Sequence, residues 1–231
     1  LEIIKSLKLE KKVKFYQAST SEMFGSSPAP QNEKTEFMPT SPYGAAKLYA
    51  HWVTKSYRTS YKMFASTGIL FNHEGPYRGD TFVSKKIVKA AINIKKGKQK
   101  KLYLGNLYAK RDWGDAEEYV KGMWKILQLK NPDDFVLATG NSYSIKYFAE
   151  RTFKKIGMDI KWVGKGLNEK GILKKNNKEI IQIDKKYFRP FEVDHLRGDS
   201  AKAKKMLGWK PNKSLDDLIS KMIDYELKNQ I

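Results

Sequence analysis

Three short apolar runs, each closed by polar or glycine residues, set the fold class: residues 13–20 (VKFYQAST), 63–71 (MFASTGILF) and 135–140 (FVLATG). Runs of this length, rich in aromatic and β-branched residues, read as strands buried inside a sheet. Helical spacing fills the gap between the first two, at 41–57, and recurs twice before the third, at 82–94 and 115–129. Strands separated by helices pair in parallel through crossovers. The chain is therefore α/β, and its 231 residues can bury a full core as one large domain or two small ones.

The helix at 41–57 carries the most specific chemistry. Ser41 is a good N-cap and Pro42 suits the first helical position. Ala45, Ala46, Leu48, Tyr49, Trp52, Val53 and Tyr57 follow at helical spacing, which sets Lys47 one turn from Tyr43 on the same side. A phenol titrates at roughly pH 10, so exchanging protons near neutrality requires a neighbouring cation, and each tenfold gain in acidity takes about 1.4 kcal/mol. Lys47 is placed to be that cation. Thirteen tyrosines and 39 lysines also produce such a spacing by accident, and for the pair alone a plain amphipathic helix is the simpler alternative. If the first strand stays extended past Thr20, its period of two puts the Thr20 hydroxyl and the Glu22 carboxylate on one side. They would then project from the strand's carboxyl end, where open α/β sheets bind ligands. A solvated turn residue is the plain alternative for Glu22.

Residues 25–40 carry Pro28, Pro30 and Pro39 among polar neighbours and read as a surface loop. Residues 72–79 (NHEGPYRG) form a polar, glycine-bearing loop, again at a strand's carboxyl end. The spacing predicts a basic helix over 82–94 with Lys85, Lys86 and Lys89, and a short strand at 102–106. It predicts a helix over 115–129 with Val120, Met123, Trp124 and Leu127 inward, and another capped by Ser144. Beyond residue 159 the pattern breaks up: 161–163 and 179–183 are short strands around a polar insertion, and two closing helices start at Ser200 and Ser214. Residues 1–9 read as the tail of a helix without an initiator methionine, which suggests that upstream sequence is missing. A dinucleotide-binding sheet opens with a glycine fingerprint; the nearest approach, 164–169 (GKGLNE), lacks the third glycine and reads as a surface turn.

The formal charge of +20 raises nucleic acid as a partner, but 39 of the 45 cationic residues are lysine, dispersed among 25 acids. Base readout and bidentate phosphate contacts favour arginine, so no nucleic acid is expected and the lysines read as solvated faces. A chain without cysteine has no disulfide framework and no thiolate metal site, and only His51, His73 and His195 remain as imidazole ligands; no metal is expected. No apolar run approaches the roughly 20 residues that span a bilayer, and no leader opens the chain, so the expectation is a cytoplasmic protein off the membrane.

Residues 15–25 (FYQASTSEMFG), 41–50 (SPYGAAKLYA), 68–74 (GILFNHE), 104–114 (LGNLYAKRDWG), 134–140 (DFVLATG), 187–194 (YFRPFEVD) and 207–211 (LGWKP) together resemble the GDP-mannose 4,6-dehydratase family of the extended short-chain dehydrogenase/reductase superfamily. They keep the family's order over nearly the whole chain. The resemblance implies the C-terminal part of a Rossmann-like parallel sheet with a smaller α/β nucleotide-sugar-binding domain. It divides the chain into 1–76 with 101–140, a residual NADP-binding domain carrying the catalytic residues, and 77–100 with 141–231, the GDP-sugar domain. It also implies NADP as cofactor, GDP-mannose as substrate and a homo-oligomer, dimer or tetramer.

Carried over by position, Tyr43 would take the proton of the C4 hydroxyl while NADP takes the hydride, and Lys47 would lower the Tyr43 pKa and bond the nicotinamide ribose. Thr20 would bond the sugar oxygen, and Glu22 would remove the C5 proton and assist loss of the C6 hydroxyl. By the same resemblance His73 and Arg78 look like cofactor contacts, and Asn72, Val83, Lys86, Arg111, Arg189 and Glu192 look like ligands of the GDP moiety. Plain alternatives stand beside these: a satisfied loop histidine for His73, a local ion pair for Arg111 and Asp112, a solvated helix face for Lys86. The family commonly has Pro-Arg-Arg where this chain reads Pro76-Tyr77-Arg78, and histidine in place of Asp115. A GDP-sugar reductase or epimerase is the neighbouring reading, since those reactions need the tyrosine and cofactor but no second base. A truncated chain that only binds sugar nucleotides or polyanions is the non-catalytic one.

Overall fold

The computed structural model describes residues 1–188 and 192–229. The chain divides into two compact units, the first formed by Leu1–His73, Arg111–Ser142 and Val193–Asn212, the second by Glu74–Lys110, Tyr143–Glu192 and Lys213–Ile231.

The sheet of the first unit has three parallel strands in the order Lys14–Thr20, Phe64–Leu70, Asp134–Leu137. Lys14 lies opposite Phe64, Thr20 opposite Leu70 and Thr67 opposite Asp134. All of Phe64–Leu70 beyond its first residue is buried, as a central strand covered on both faces should be. Alternate side chains feed two cores: Ile69 and Val136 join Met23, Phe24, Phe71 and Leu196, whereas Leu70, Phe135 and Leu137 join Tyr119, Ile126 and Trp209.

The helix Pro42–Ser60 begins as its cap residues dictate, with Ser41 Oγ accepting from the Gly44 amide at 3.0 Å and proline in the first turn. It buries Gly44, His51 and Thr54 and leaves Tyr43, Tyr49 and Trp52 exposed. Its far end is pinned by Arg58, whose guanidinium grips both oxygens of Asp134 at 2.8 and 2.6 Å and donates to the Ala65 carbonyl at 3.2 Å. Thr67 Oγ1 donates to the same carboxylate at 2.6 Å. Burial pushes the Asp134 carboxyl up, but Arg58 and Thr67 together outweigh it and hold the group below its usual range.

The helix Ala116–Gln128 is turned relative to the expected stripe. Tyr119, Gly122 and Ile126 are buried, Met123 packs against the core, and Val120 and Trp124 are exposed rather than inward. Gly122 explains the rotation: the space of its absent Cβ is taken by Leu137 Cδ1 and Trp209 Nε1, within 2.7 and 3.0 Å, so this face comes nearest the sheet.

In the second unit four strands run Leu102–Leu104, Glu179–Ile183, Lys170–Leu173, Ile160–Val163, the first pair parallel and the others antiparallel. The third is hidden in the polar insertion because lysines flank it and Gly171 supplies no side chain; Ile181 packs into the vacant Cβ position instead. The helices Val83–Lys95, Ile145–Lys155 and Leu215–Asn229 complete this unit, and Ser144 Oγ caps the second by accepting from the Tyr147 amide at 3.1 Å. Lys85, on the first of these helices, is buried: it pairs with Glu226 and donates to the Pro76 carbonyl at 2.6 Å. Among the described residues, no helix is long and apolar enough to cross a membrane.

Candidate active site

In the first unit the carboxyl end of Lys14–Thr20 does not stay extended. The Thr20 hydroxyl accepts from the Glu22 amide at 3.3 Å, which caps a tight turn over Ser21–Met23 and drives Met23 and Phe24 into the core. The expectation that strand alternation carries Thr20 and Glu22 to one side is therefore corrected: Glu22 is presented, half-buried, from a turn that Thr20 itself initiates.

The N-terminus of Pro42–Ser60 packs on that turn. A Cβ at Gly44 would stand 2.7 Å from the Glu22 carbonyl oxygen, so the residue next to Tyr43 lies directly against Glu22. Tyr43 is 55 % exposed, and Lys47 Nζ lies 5.8 Å from its ring centroid while donating to the Ala18 carbonyl at 3.0 Å. That carbonyl belongs to the strand ending at Thr20. The lysine thus ties the helix to the strand while staying within electrostatic reach of the phenol. Thr20, Glu22, Tyr43 and Lys47 come together at one sheet end.

Asn72 and His73 follow the central strand. Asn72 Oδ1 is buried and meets no donor among the described residues. The His73 ring stacks on Tyr119, centroids 5.2 Å apart, and its Nδ1 donates to the Phe71 carbonyl at 2.9 Å, which assigns the proton to that nitrogen. Arg111 is buried and donates to the Val193 carbonyl at 2.5 Å. Its neighbour Asp112 does not complete a local ion pair with it; the Asp112 carboxylate is taken up by Thr139, Gly140 and Gly198.

The second unit holds the other predicted residues. Arg78 Nε lies 3.0 Å from Glu74 Oε2, and its guanidinium stacks on Phe82, 3.5 Å from the ring centroid. Glu74 is buried and also accepts from Ser84 Oγ at 2.6 Å; burial pushes its carboxyl up, and Arg78 and Ser84 pull it back. Val83 opens the helix Val83–Lys95, whose cap residue Phe82 offers the first-turn amides no side-chain acceptor. Lys86 is not on a solvated face: its ammonium sits 3.4 Å from the Tyr187 ring centroid, and burial lowers its pKa against the opposing pull of Tyr187. Glu192 is half-buried, and Arg189 lies outside the described residues. Tyr77, standing where the family has arginine, is 88 % exposed and packs on Tyr225, and Asp115, in the family's histidine position, caps Ala116–Gln128 by accepting from the Glu117 amide at 2.9 Å.

A sequence model of the family described as GDP-mannose 4,6 dehydratase matches residues 1–222. The chain belongs to the GDP-mannose 4,6 dehydratase family. It is 53 % identical over 228 residues to GDP-mannose 4,6-dehydratase of Sinorhizobium fredii (strain HH103), covering 98 % of this chain and 65 % of that protein. It is 48 % identical to GDP-mannose 4,6 dehydratase of Homo sapiens, covering 99 % of this chain and 62 % of the human protein. The chain thus spans less than two thirds of the length of these relatives. Among solved structures it is similar to RMD from Pseudomonas aeruginosa complexed with NADPH (TM-score 0.81, 20 % identity, 98 % of this chain and 70 % of that one). It is also similar to dTDP-glucose 4,6-dehydratase from Bacillus anthracis in complex with NAD (TM-score 0.79, 21 % identity, 99 % and 65 %). At these identities the likeness establishes the fold, an α/β architecture around a Rossmann-like parallel sheet. For a member of this family, the buried Asp112 is the feature that its place in the sequence conceals, because an acid beside Arg111 already has an obvious neighbour to pair with.

Proposed function

We propose that this family member dehydrates GDP-mannose to GDP-4-keto-6-deoxymannose, with the catalytic residues on the first unit and most of the residues assigned to the GDP moiety on the second. The supporting observation is the close approach of the Glu22 backbone to the N-terminus of the helix that carries Tyr43 and Lys47. Tyr43 takes the C4 hydroxyl proton, aided by the Lys47 charge, and Thr20 bonds the sugar oxygen. Glu22 then takes the C5 proton, acidic once C4 is a ketone, and delivers it to the departing C6 hydroxyl, which leaves as water; C5 regains a proton from solvent to balance the hydride added at C6.

NADP, when bound, supplies the redox chemistry by accepting a hydride from the hexose and returning it. The residues present fit its nicotinamide end: Lys47 tied to the strand that ends at Thr20, and the exposed Tyr43 one turn before it on the same helix. We assign His73 and Arg78 to the cofactor, and Asn72, Val83, Lys86, Arg111, Arg189 and Glu192 to the GDP moiety. The exposed Tyr49 and Trp52 are apolar surface that assembly into a homodimer or tetramer would cover, and the cysteine-free chain is in keeping with a cytoplasmic location.

The test is incubation with GDP-mannose and NADP in deuterated water, read by mass spectrometry. Loss of one water with deuterium uptake at the hexose is expected, and Glu22→Gln should abolish it. A Glu22→Gln protein that turns over the sugar as well as the parent would favour a reductase or epimerase and sink the dehydratase reading.

A further inference from the structure

Asp112 is fully buried, and none of its hydrogen-bond partners among the described residues is a cation. Its Oδ1 accepts from the Thr139 amide at 2.9 Å and the Thr139 hydroxyl at 2.6 Å; its Oδ2 accepts from the amides of Gly140 at 2.9 Å and Gly198 at 3.2 Å. Burial pushes this carboxyl up and the four hydrogen bonds pull it down. Four donors converge on two oxygens, an arrangement that a side chain with only acceptors satisfies completely. A buried carboxylate held by dipoles alone is costly, so its purpose lies in what it holds.

It holds one particular stretch. Asp112 grips the Gly198 amide, and the preceding residue, Arg111, donates to the Val193 carbonyl at 2.5 Å. Two consecutive side chains thus fasten the same segment at two points. The clasp depends on close backbone approach: Gly140 has φ +82°, and a Cβ at Gly198 would fall 2.2 Å from Ala138 Cβ. Thr139 and Gly140 follow two and three residues after the strand Asp134–Leu137, so the end of the sheet is the fixed point from which Asp112 orients both its own peptide and the 193–198 segment.

We propose that Asp112 is a positioning residue: its carboxylate, without touching any ligand, fixes the direction in which Arg111 presents its guanidinium. This rests on the reading above, in which Arg111 meets the diphosphate of the nucleotide sugar. Asparagine at position 112 would turn an N–H₂ group towards amide donors, expelling one side of the clasp and releasing the segment that steadies Arg111.

A double-mutant cycle tests this. Asp112→Asn and the milder Thr139→Val, which removes the hydroxyl that donates to Asp112 together with its contacts to the Asn141 backbone, are made alone and with Arg111→Met, and GDP affinity is measured by calorimetry. Asp112→Asn should weaken GDP about tenfold and Thr139→Val by a smaller factor, with no further loss in either case once Arg111 is methionine. Equal losses in both backgrounds, or an unchanged affinity in the single variants, overturn the proposal. Should Asp112→Asn not fold, the Thr139→Val cycle decides alone. Should Arg111→Met bind GDP as the parent does, the nucleotide reading of Arg111 falls instead. Nitrogen-15 NMR of the Arg111 guanidinium then judges the positioning by itself: its restrained signal must collapse in Thr139→Val, and a signal as sharp as the parent's overturns it.

Discussion

Gly44 controls how the tyrosine-bearing helix meets the Glu22 turn, and alanine there is a one-atom probe of the site. The added Cβ would stand 2.7 Å from the Glu22 carbonyl oxygen, 3.1 Å from Pro39 Cβ and 3.3 Å from Ser41 Oγ. Ordinary contact begins at 3.4 Å, so helix and turn must separate by about 0.7 Å. The helix end cannot slide freely, because the Gly44 amide is the donor to the Ser41 cap. Overpacking of this kind costs about 1–3 kcal/mol, against which the better helix propensity of alanine returns about 1 kcal/mol at most. Gly44→Ala should therefore be less stable by about 1 kcal/mol in urea unfolding. It should also move Tyr43 away from Glu22 by a fraction of an ångström, which under the proposed dehydration of GDP-mannose costs roughly tenfold in turnover where 1 Å costs about a hundredfold. Ala45→Gly, one residue on and exposed, is the control: it loses propensity without any clash and should leave turnover alone. A Gly44→Ala protein with the parent's urea midpoint and turnover would refute the argued contact.

At the other end of that helix, Arg58→Ala strands a largely buried Asp134 carboxylate and should cost about 3 kcal/mol in urea unfolding; a loss under about 1 kcal/mol would class the pair with exposed ones. Because Asp134 titrates below its ordinary value in the folded chain, its stabilisation is complete above the unfolded pKa and drains away as pH falls through the lower folded one. Unfolding followed from about pH 5 down to pH 2 should show this acid loss, and Asp134→Asn, less stable at neutrality, should have a flatter profile in that window.

How much of the fold is legible in the sequence follows from where each determinant lies along the chain. The helix at Tyr43 is legible because its start is written in adjacent residues, Ser41 and Pro42, and the parallel sheet because its strands are continuous apolar runs. Even the departure at Glu22 is local: Thr20 is the hydroxyl that ends the strand, a cap signal that competes with strand alternation and wins where Met23 and Phe24 have a core to enter. The rotation of Ala116–Gln128 is less accessible, because Gly122 gains its meaning only from Leu137 and Trp209, which pack into the space it leaves. Buried charges are least legible. Asp112 finds its donors 27, 28 and 86 residues away, and Lys85 finds Glu226 at the far end of the chain. Neighbouring residues state what a side chain is able to do, but a carboxylate at Asp112 chooses between an adjacent arginine and three remote amides only once the fold has brought those amides in, with geometry that the preceding arginine, committed to Val193, does not match.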